Sequence, residues 1–199
     1  MVVLKFNSEE DWLEARLGTI GGTRAGNLIL KSGKGYKQGF WEMLAERVGI
    51  PHDGENYMDR GKRLEVEALE LFVEKTGKKV NTELVIFCRD DDPRINYSPD
   101  GYMGKTEDTE VKCLSSARHL EAWYTKEIPS DYYDQMLQGF VVNDKLKKRY
   151  MVFYNPQMPV EIFWLEIHRK DHKQEIAQRL QMERNVLKVA DEIEKQLTF

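Results

Sequence analysis

Between Tyr57 and Gly77 the chain reads YMDRGKRLEVEALELFVEKTG, with apolar residues at 64, 68, 69, 72 and 73. From Lys79 onward that spacing gives way to alternation. The first pattern gathers its apolar residues on one face of a helix, which the glycine at 77 closes. The second pattern, KVNTELVIFC followed by RINYS and TEDTEVKCL, is β-branched and aromatic with a two-residue period. It predicts three strands in a meander, the last following the Gly104-Lys105 turn. A chain that changes period in this way packs helices against a sheet. The other segments agree. Ser8 and Asp11 resemble a capping box ahead of EEDWLEARLG, which Gly18 ends. Further helices are predicted from about Thr23, over GFWEMLAERVG, and over SSARHLEAWYTKE and SDYYDQMLQGFVVND, the last two entered through serine. RYMVFYN and VEIFWLEIH read as two more strands before a long final helix from about Asp171 to Gln196, whose apolar stripe packs on the domain or on a neighbouring subunit. The expected fold class is α/β, a central mixed β-sheet flanked by helices, in a single domain over residues 1–199.

Composition narrows the function. With 41% hydrophobic and 32% charged residues the chain reads as soluble and globular, and no window approaches the roughly 18 apolar residues of a membrane helix. The N-terminus, MVVLKFNSEEDW, turns acidic before a hydrophobic run develops, which argues against a secretory signal and predicts a cytosolic location. Cys88 and Cys113 lie far apart with no CxxC or Cys/His spacing, so neither a zinc site nor a disulfide framework is expected and both read as reduced thiols. The four histidines show no Ser-His-Asp order and read as structural or surface residues. A net charge of −4 by itself argues against a nucleic-acid partner, but distribution matters more than the sum, and LKSGKGYKQG (30–39) carries three lysines and no acid. That segment, with Lys31 and Lys34, is a candidate basic patch; its competing reading is a solvated surface loop.

The stretch NYSPDGYMGKTEDTEVKC (96–113) carries the chemistry. Alternation puts Glu110 and Lys112 on one face of their strand, and a hairpin turn brings Asp100 alongside them. Two carboxylates and an ammonium in one place suit a hard divalent cation such as Mg²⁺, which takes carboxylate oxygens and leaves positions for substrate phosphates. Val111 can add its carbonyl, and Lys112 can hold an attacking water and offset charge developing on a phosphate, which describes phosphodiester hydrolysis. An ExK triplet alone is common, and a cross-strand Glu/Lys pair is usually a solvated ion pair.

SPDG followed by EVK resembles the central motif of the PD-(D/E)xK nucleases, and within them of the phage lambda exonuclease family, the YqaJ-like viral recombinases. Four further stretches are similar to that family in order along the chain: WLEARLGTIGGTR (12–24), RGKRLEVEA (60–68), DYYDQMLQG (131–139) and YMVFYNP (150–156). The resemblance implies a restriction-endonuclease-like core with Asp100 and Glu110 as principal metal ligands, Val111 contributing its carbonyl, Lys112 as catalytic lysine and Glu65 as the upstream acid. It implies two Mg²⁺ ions, with Mn²⁺ as a substitute, and places Gln135 near the metals with Gln138 as a companion. Arg16, Thr23 and Ser98 fall where the family binds a terminal 5′ phosphate, and Met58 where it places an apolar wedge between terminal base pairs. On their residues alone, Glu65 is a surface acid beside Lys62, Gln135 an exposed helix position and Met58 a packing residue, while Arg16 reads equally as a helix-end cation or a phosphate contact.

The activity implied is 5′-to-3′ digestion of one strand of linear double-stranded DNA, leaving a 3′ overhang for recombination. The partners implied are DNA ends, a single-strand annealing protein and two further copies in a homotrimeric ring, in the cytoplasm of a bacterial host of a phage or prophage. Two rivals remain: an endonuclease of the same fold, and a noncatalytic DNA-end-binding module. Relatives that hold an iron–sulfur cluster through four cysteines are disfavoured in a chain with two.

Overall fold

The computed structural model describes residues 1–28, 37–47, 58–114 and 116–197, without the side chains of 38, 41, 42, 44, 45, 58–63, 116 and 117. In chain order the elements are β1 (Val2–Lys5), α1 (Glu9–Glu14), α2 (Gly22–Ala25), α3 (Gln38–Arg47), α4 (Met58–Thr76), β2 (Val85–Cys88), β3 (Asn96–Tyr97), β4 (Gly101–Met103) and β5 (Glu107–Cys113). There follow α5 (Ser116–Thr125), α6 (Ser130–Val142), β6 (Lys148–Tyr154), β7 (Ile162–His168) and, after a 3₁₀ turn over Arg169–Asp171, α7 (Lys173–Leu197). The predicted helices all form. Ser8 caps α1 by accepting from the Asp11 amide at 3.2 Å, whereas Ser130 is the first residue of α6 behind Pro129.

The central sheet has the order β4-β5-β6-β7 and is mixed: β5 and β6 run parallel, and the other pairs antiparallel. A parallel neighbour needs a crossover, which α5 and α6 supply. Alternation along β6 sorts the core: Met151 and Phe153 face the cluster built with α6 and α7, while Tyr150, Val152 and Tyr154 face α4 through Ala68, Leu69 and Phe72. Phe72, wholly buried, sets its ring 5.4 Å from Tyr150 and 5.3 Å from Trp164. Gly77 closes α4 with φ +66°, the left-handed cap that glycine adopts without strain.

The meander differs from expectation in two ways. It contains a fourth strand, β4, whose three residues are too short to show alternation. It is also divided, because β2 and β3 leave the central sheet and join β1 in a separate antiparallel sheet of order β1-β2-β3. β1 carries β-forming residues in Val2, Val3 and Leu4 but no alternation, since all four of its residues are exposed; its backbone pairing to β2, Val2 opposite Cys88, holds it. Cys88 and Cys113 are free thiols, and buried His119 packs edge-on against Phe163 as a core residue. No helix among the described residues is long and apolar enough to cross a membrane.

The buried stripe of α7 carries Ile176, Val186, Leu187 and Ala190, and with them an ion pair that its charge pattern did not single out. Arg179 Nε donates to Glu183 Oε1 at 2.9 Å, and Gln138 Nε2 donates to Glu183 Oε2 at 3.2 Å. Burial still dominates and pushes the Glu183 carboxyl from 4.5 up to about 7. The folded state therefore holds a proton that the unfolded chain releases, so this group favours folding below pH 4.5, and the advantage is lost as pH rises toward 7. Glu183→Gln is expected to flatten this dependence. By thermal melting, the fall between pH 5 and pH 8 should shrink in the variant, and equal falls in both proteins would show that another group titrates.

Candidate active site

The hairpin register places the central residues. Gly101 pairs with Thr109, Tyr102 with Asp108 and Met103 with Glu107, so one further step sets Asp100 opposite Glu110. Asp100 Oδ2 accepts from the Val111 amide at 2.6 Å, which ties the carboxylate to the neighbouring strand. Asp108, Glu110 and Lys112 share one side of β5, while Val111 and Cys113 pack with α4 on the other.

Glu110 is only 3% exposed and is surrounded by donors. Its Oε1 accepts from Lys112 Nζ at 2.7 Å and from Gln135 Nε2 at 2.5 Å, and its Oε2 faces Arg149 Nη2 at 3.5 Å. Lys112 also lies 5.2 Å over the Tyr132 ring. Burial opposes its charge, but Glu110 and Asp100 outweigh that and hold the ammonium above its ordinary pKa. Asp100 goes the other way: burial first, then the negative charge of Glu110 and of Glu65, hold its carboxyl well above the usual range despite Lys112 and the Val111 amide. Asp100 thus keeps its proton more readily than a free carboxyl, because ionising it beside Glu110 and Glu65 gathers negative charge that Lys112 does not offset. Glu65 approaches from α4, close enough for its charge to reach Asp100 and Cys113. Among the described residues no three His, Cys, Asp or Glu side chains close on a single metal position.

Arg16, the candidate phosphate contact, lies within reach of these charges. Its guanidinium stacks 4.3 Å from the Trp12 ring centre. Burial lowers its pKa, while Glu110 and Asp100 act in the opposite direction, so the cation lies within the field of the same carboxylates. Among the described residues its side chain makes no hydrogen bond or ion pair, whereas the neighbouring Arg24 is committed to Glu46 at 2.6 Å. Arg16 and Thr23 line one cleft of about 340 Å³ together with Thr19 and Gly21. Ser98 is placed differently: it donates to the Val85 carbonyl at 2.6 Å and accepts from Trp12 Nε1 at 3.2 Å, so it holds the indole on which Arg16 rests.

The two motif glutamines point to different tasks. Gln135 reaches Glu110, whereas wholly buried Gln138 donates to the Ile20 and Asn96 carbonyls and to Glu183, joining α6 to its neighbours. Lys31 and Lys34 lie outside the described residues, and Met58 opens α4 with its side chain likewise outside them.

Arg149, Trp12 and Tyr132 were not singled out from the sequence. For Arg149 a signal existed: it is in phase with Met151 and Phe153, and a charge in phase with buried apolar residues marks a buried ion.

Among solved structures, the fold is similar to an alkaline exonuclease from Laribacter hongkongensis, with a TM-score of 0.78 and 22% identity over 94% of this chain and 97% of that one. The same enzyme in complex with dAMP matches with a TM-score of 0.78 at 23% identity, over the same shares of both chains. No curated protein matches the sequence. The YqaJ-like viral recombinase domain matches over residues 11–146, more than half of the chain and the whole stretch from the Arg16 cleft through Gln135. The chain belongs to the YqaJ-like viral recombinase family.

Proposed function

We propose that this protein is a Mg²⁺-dependent exonuclease that digests the 5′ strand of linear double-stranded DNA and leaves a 3′ overhang for recombination by strand annealing. The observation that carries the reading is the convergence of Asp100, Glu110 and Lys112 on one hairpin within the electrostatic reach of Arg16. The fold it shares with an alkaline exonuclease supports the reaction class, and the dAMP bound to that enzyme supports a deoxynucleotide as ligand class.

The residues present fit a divalent cation. Their donors are hard oxygens, and the raised Asp100 carboxyl marks a place where positive charge is wanting. Asp100, Glu110 and the Val111 carbonyl would hold one ion, and Glu65 would help to hold a second. Bound Mg²⁺, or Mn²⁺ in its place, supplies Lewis-acid polarisation of the phosphodiester and acidifies a coordinated water.

The chain's own groups do the rest. Lys112 orients the water and offsets the charge that grows on the phosphate. Gln135 keeps the Glu110 carboxylate turned toward Lys112, and Tyr132 steadies the ammonium from the side. Arg16 grips the terminal 5′ phosphate with its forked donors, and Thr23 adds a hydroxyl from the same cleft. Because the Arg16 guanidinium lies close enough to sense Glu110 and Asp100, a phosphate held there would leave a bond near the strand's 5′ end at the carboxylates. That arrangement favours short products released from the 5′ end.

Family membership further supports a homotrimeric ring, a single-strand annealing protein as partner, and a phage or prophage protein acting in the bacterial cytoplasm. A ring with a basic inner wall would also accommodate a net charge of −4.

Two measurements test this reading. With Mg²⁺, a 5′-phosphorylated linear duplex should lose its 5′ strand while the same DNA as a covalently closed circle stays intact. Chelation should stop the reaction, and Lys112→Ala should slow it by about 100-fold or more. Cutting of the circle would favour an endonuclease, and binding without cleavage a noncatalytic end-binding module. Secondly, the wild type should prefer a 5′-phosphate over a 5′-hydroxyl end, and Arg16→Ala should lose about 10-fold to 100-fold in kcat/KM on the phosphorylated end only. A retained preference in that variant would remove Arg16 from the phosphate site.

A further inference from the structure

Arg149 is a wholly buried arginine at the start of β6, directly paired with Asp108 of β5. Its guanidinium contacts four oxygens from two neighbouring elements, β5 and α6. Nε donates to Asp108 Oδ1 at 2.8 Å, Nη1 donates to the Gln135 and Met136 carbonyls at 2.9 and 2.7 Å, and Nη2 reaches Glu110 Oε2 at 3.5 Å. It can lie against α6 because residue 139 is glycine. A Cβ there would fall 2.5 Å from Arg149 Cζ and 2.6 Å from Nη1, closer than such atoms approach. The glycine of the DYYDQMLQG stretch is thus the socket for this cation.

A buried ion pair is a poor source of stability, since an apolar side chain of similar volume commonly does as well. What an arginine does and a hydrophobe cannot is fix several oxygens relative to one another. Two of those fixed here bear on the site: Glu110 Oε2, and the carbonyl of the residue whose amide grips Glu110 Oε1.

We infer that Arg149, seated in the gap at Gly139, is a positioning residue that holds the Glu110 carboxylate in its working orientation, directly and through the α6 backbone that presents Gln135. The inference rests on the nuclease reading of the same site. It predicts that moving the guanidinium weakens metal binding and turnover while leaving the grip on the DNA end, which Arg16 and Thr23 supply, in place.

The test uses Arg149→Lys, Arg149→Met and Gly139→Ala, each measured for thermal melting, for kcat and KM on a 5′-phosphorylated linear duplex, and for Mn²⁺ affinity by calorimetry without DNA. Gly139→Ala displaces the guanidinium while leaving its charge in place. The expected result is folded protein with kcat lower by about 10-fold to 100-fold, Mn²⁺ affinity weakened to a similar degree, and KM for DNA within about twofold of wild type, Arg149→Lys being the least affected of the Arg149 pair. A folded variant with wild-type kcat and Mn²⁺ affinity would overturn the inference, as would kcat losses that merely track the fraction unfolded. Failure of all three variants to fold would make Arg149 a structural strut and overturn it too. If the Arg149 variants alone fail to fold, Gly139→Ala decides. A wild type that binds Mn²⁺ but cuts no DNA would remove the nuclease reading while the Mn²⁺ comparison still judged Arg149; one that does neither removes both.

Discussion

A carboxylate with almost no access to solvent must find its donors inside the protein, and Glu110 is that carboxylate. Its donors come from its own strand in Lys112, from the crossover helix α6 in Gln135, and from the parallel neighbour β6 in Arg149. Each requires a different feature of the fold. Alternation sets Lys112 on the same side, the crossover required by parallel pairing brings α6 across the sheet, and the β5–β6 register sets Arg149 beside Asp108. Loss of the parallel pairing would remove two of the three. The mixed sheet is thus the frame on which the site is assembled.

The charge balance around this group supports the cation proposed for it. Arg149 is matched by Asp108 and Lys112 by Glu110, which leaves Asp100 facing two other acids, Glu110 and Glu65. Desolvation magnifies the repulsion, because charges in a poorly solvated setting are less screened. Arg16 lies within the field of the same carboxylates, its guanidinium stacked on an indole that Ser98 holds. On the proposed reading, the negative charge would take the metal and Arg16 the phosphate of a DNA end.

That Asp100, Glu110 and Lys112 lie together was legible because strand period and turn position bear on neighbours in sequence, whereas Gln135, 25 residues from Glu110, was placed there only by the family resemblance. The helix carrying Glu65 was legible from its apolar face. What escaped was long-range or lacked periodicity. Arg149 and Asp108 are 41 residues apart, and Trp12 and Ser98 are 86 apart; no local pattern links either pair. Ser98 was read with Arg16 and Thr23 as a phosphate contact, yet its proton goes to the Val85 carbonyl, a partner that only the β2–β3 pairing brings near. The division of the strands into two sheets escaped for the same reason, since β1 is held by backbone pairing that side chains do not advertise.

On the proposed reading, Asp100 and Glu110 together bind one cation on the hairpin. Crystals grown with Mn²⁺ and measured at its absorption edge test it most directly, because anomalous scattering identifies the metal independently of the refined protein atoms. The wild type should show an anomalous peak in contact with both Asp100 and Glu110, and Asp100→Asn none there. A Mn²⁺ peak elsewhere, with Glu110 still engaged by Lys112 and Gln135, would contradict it.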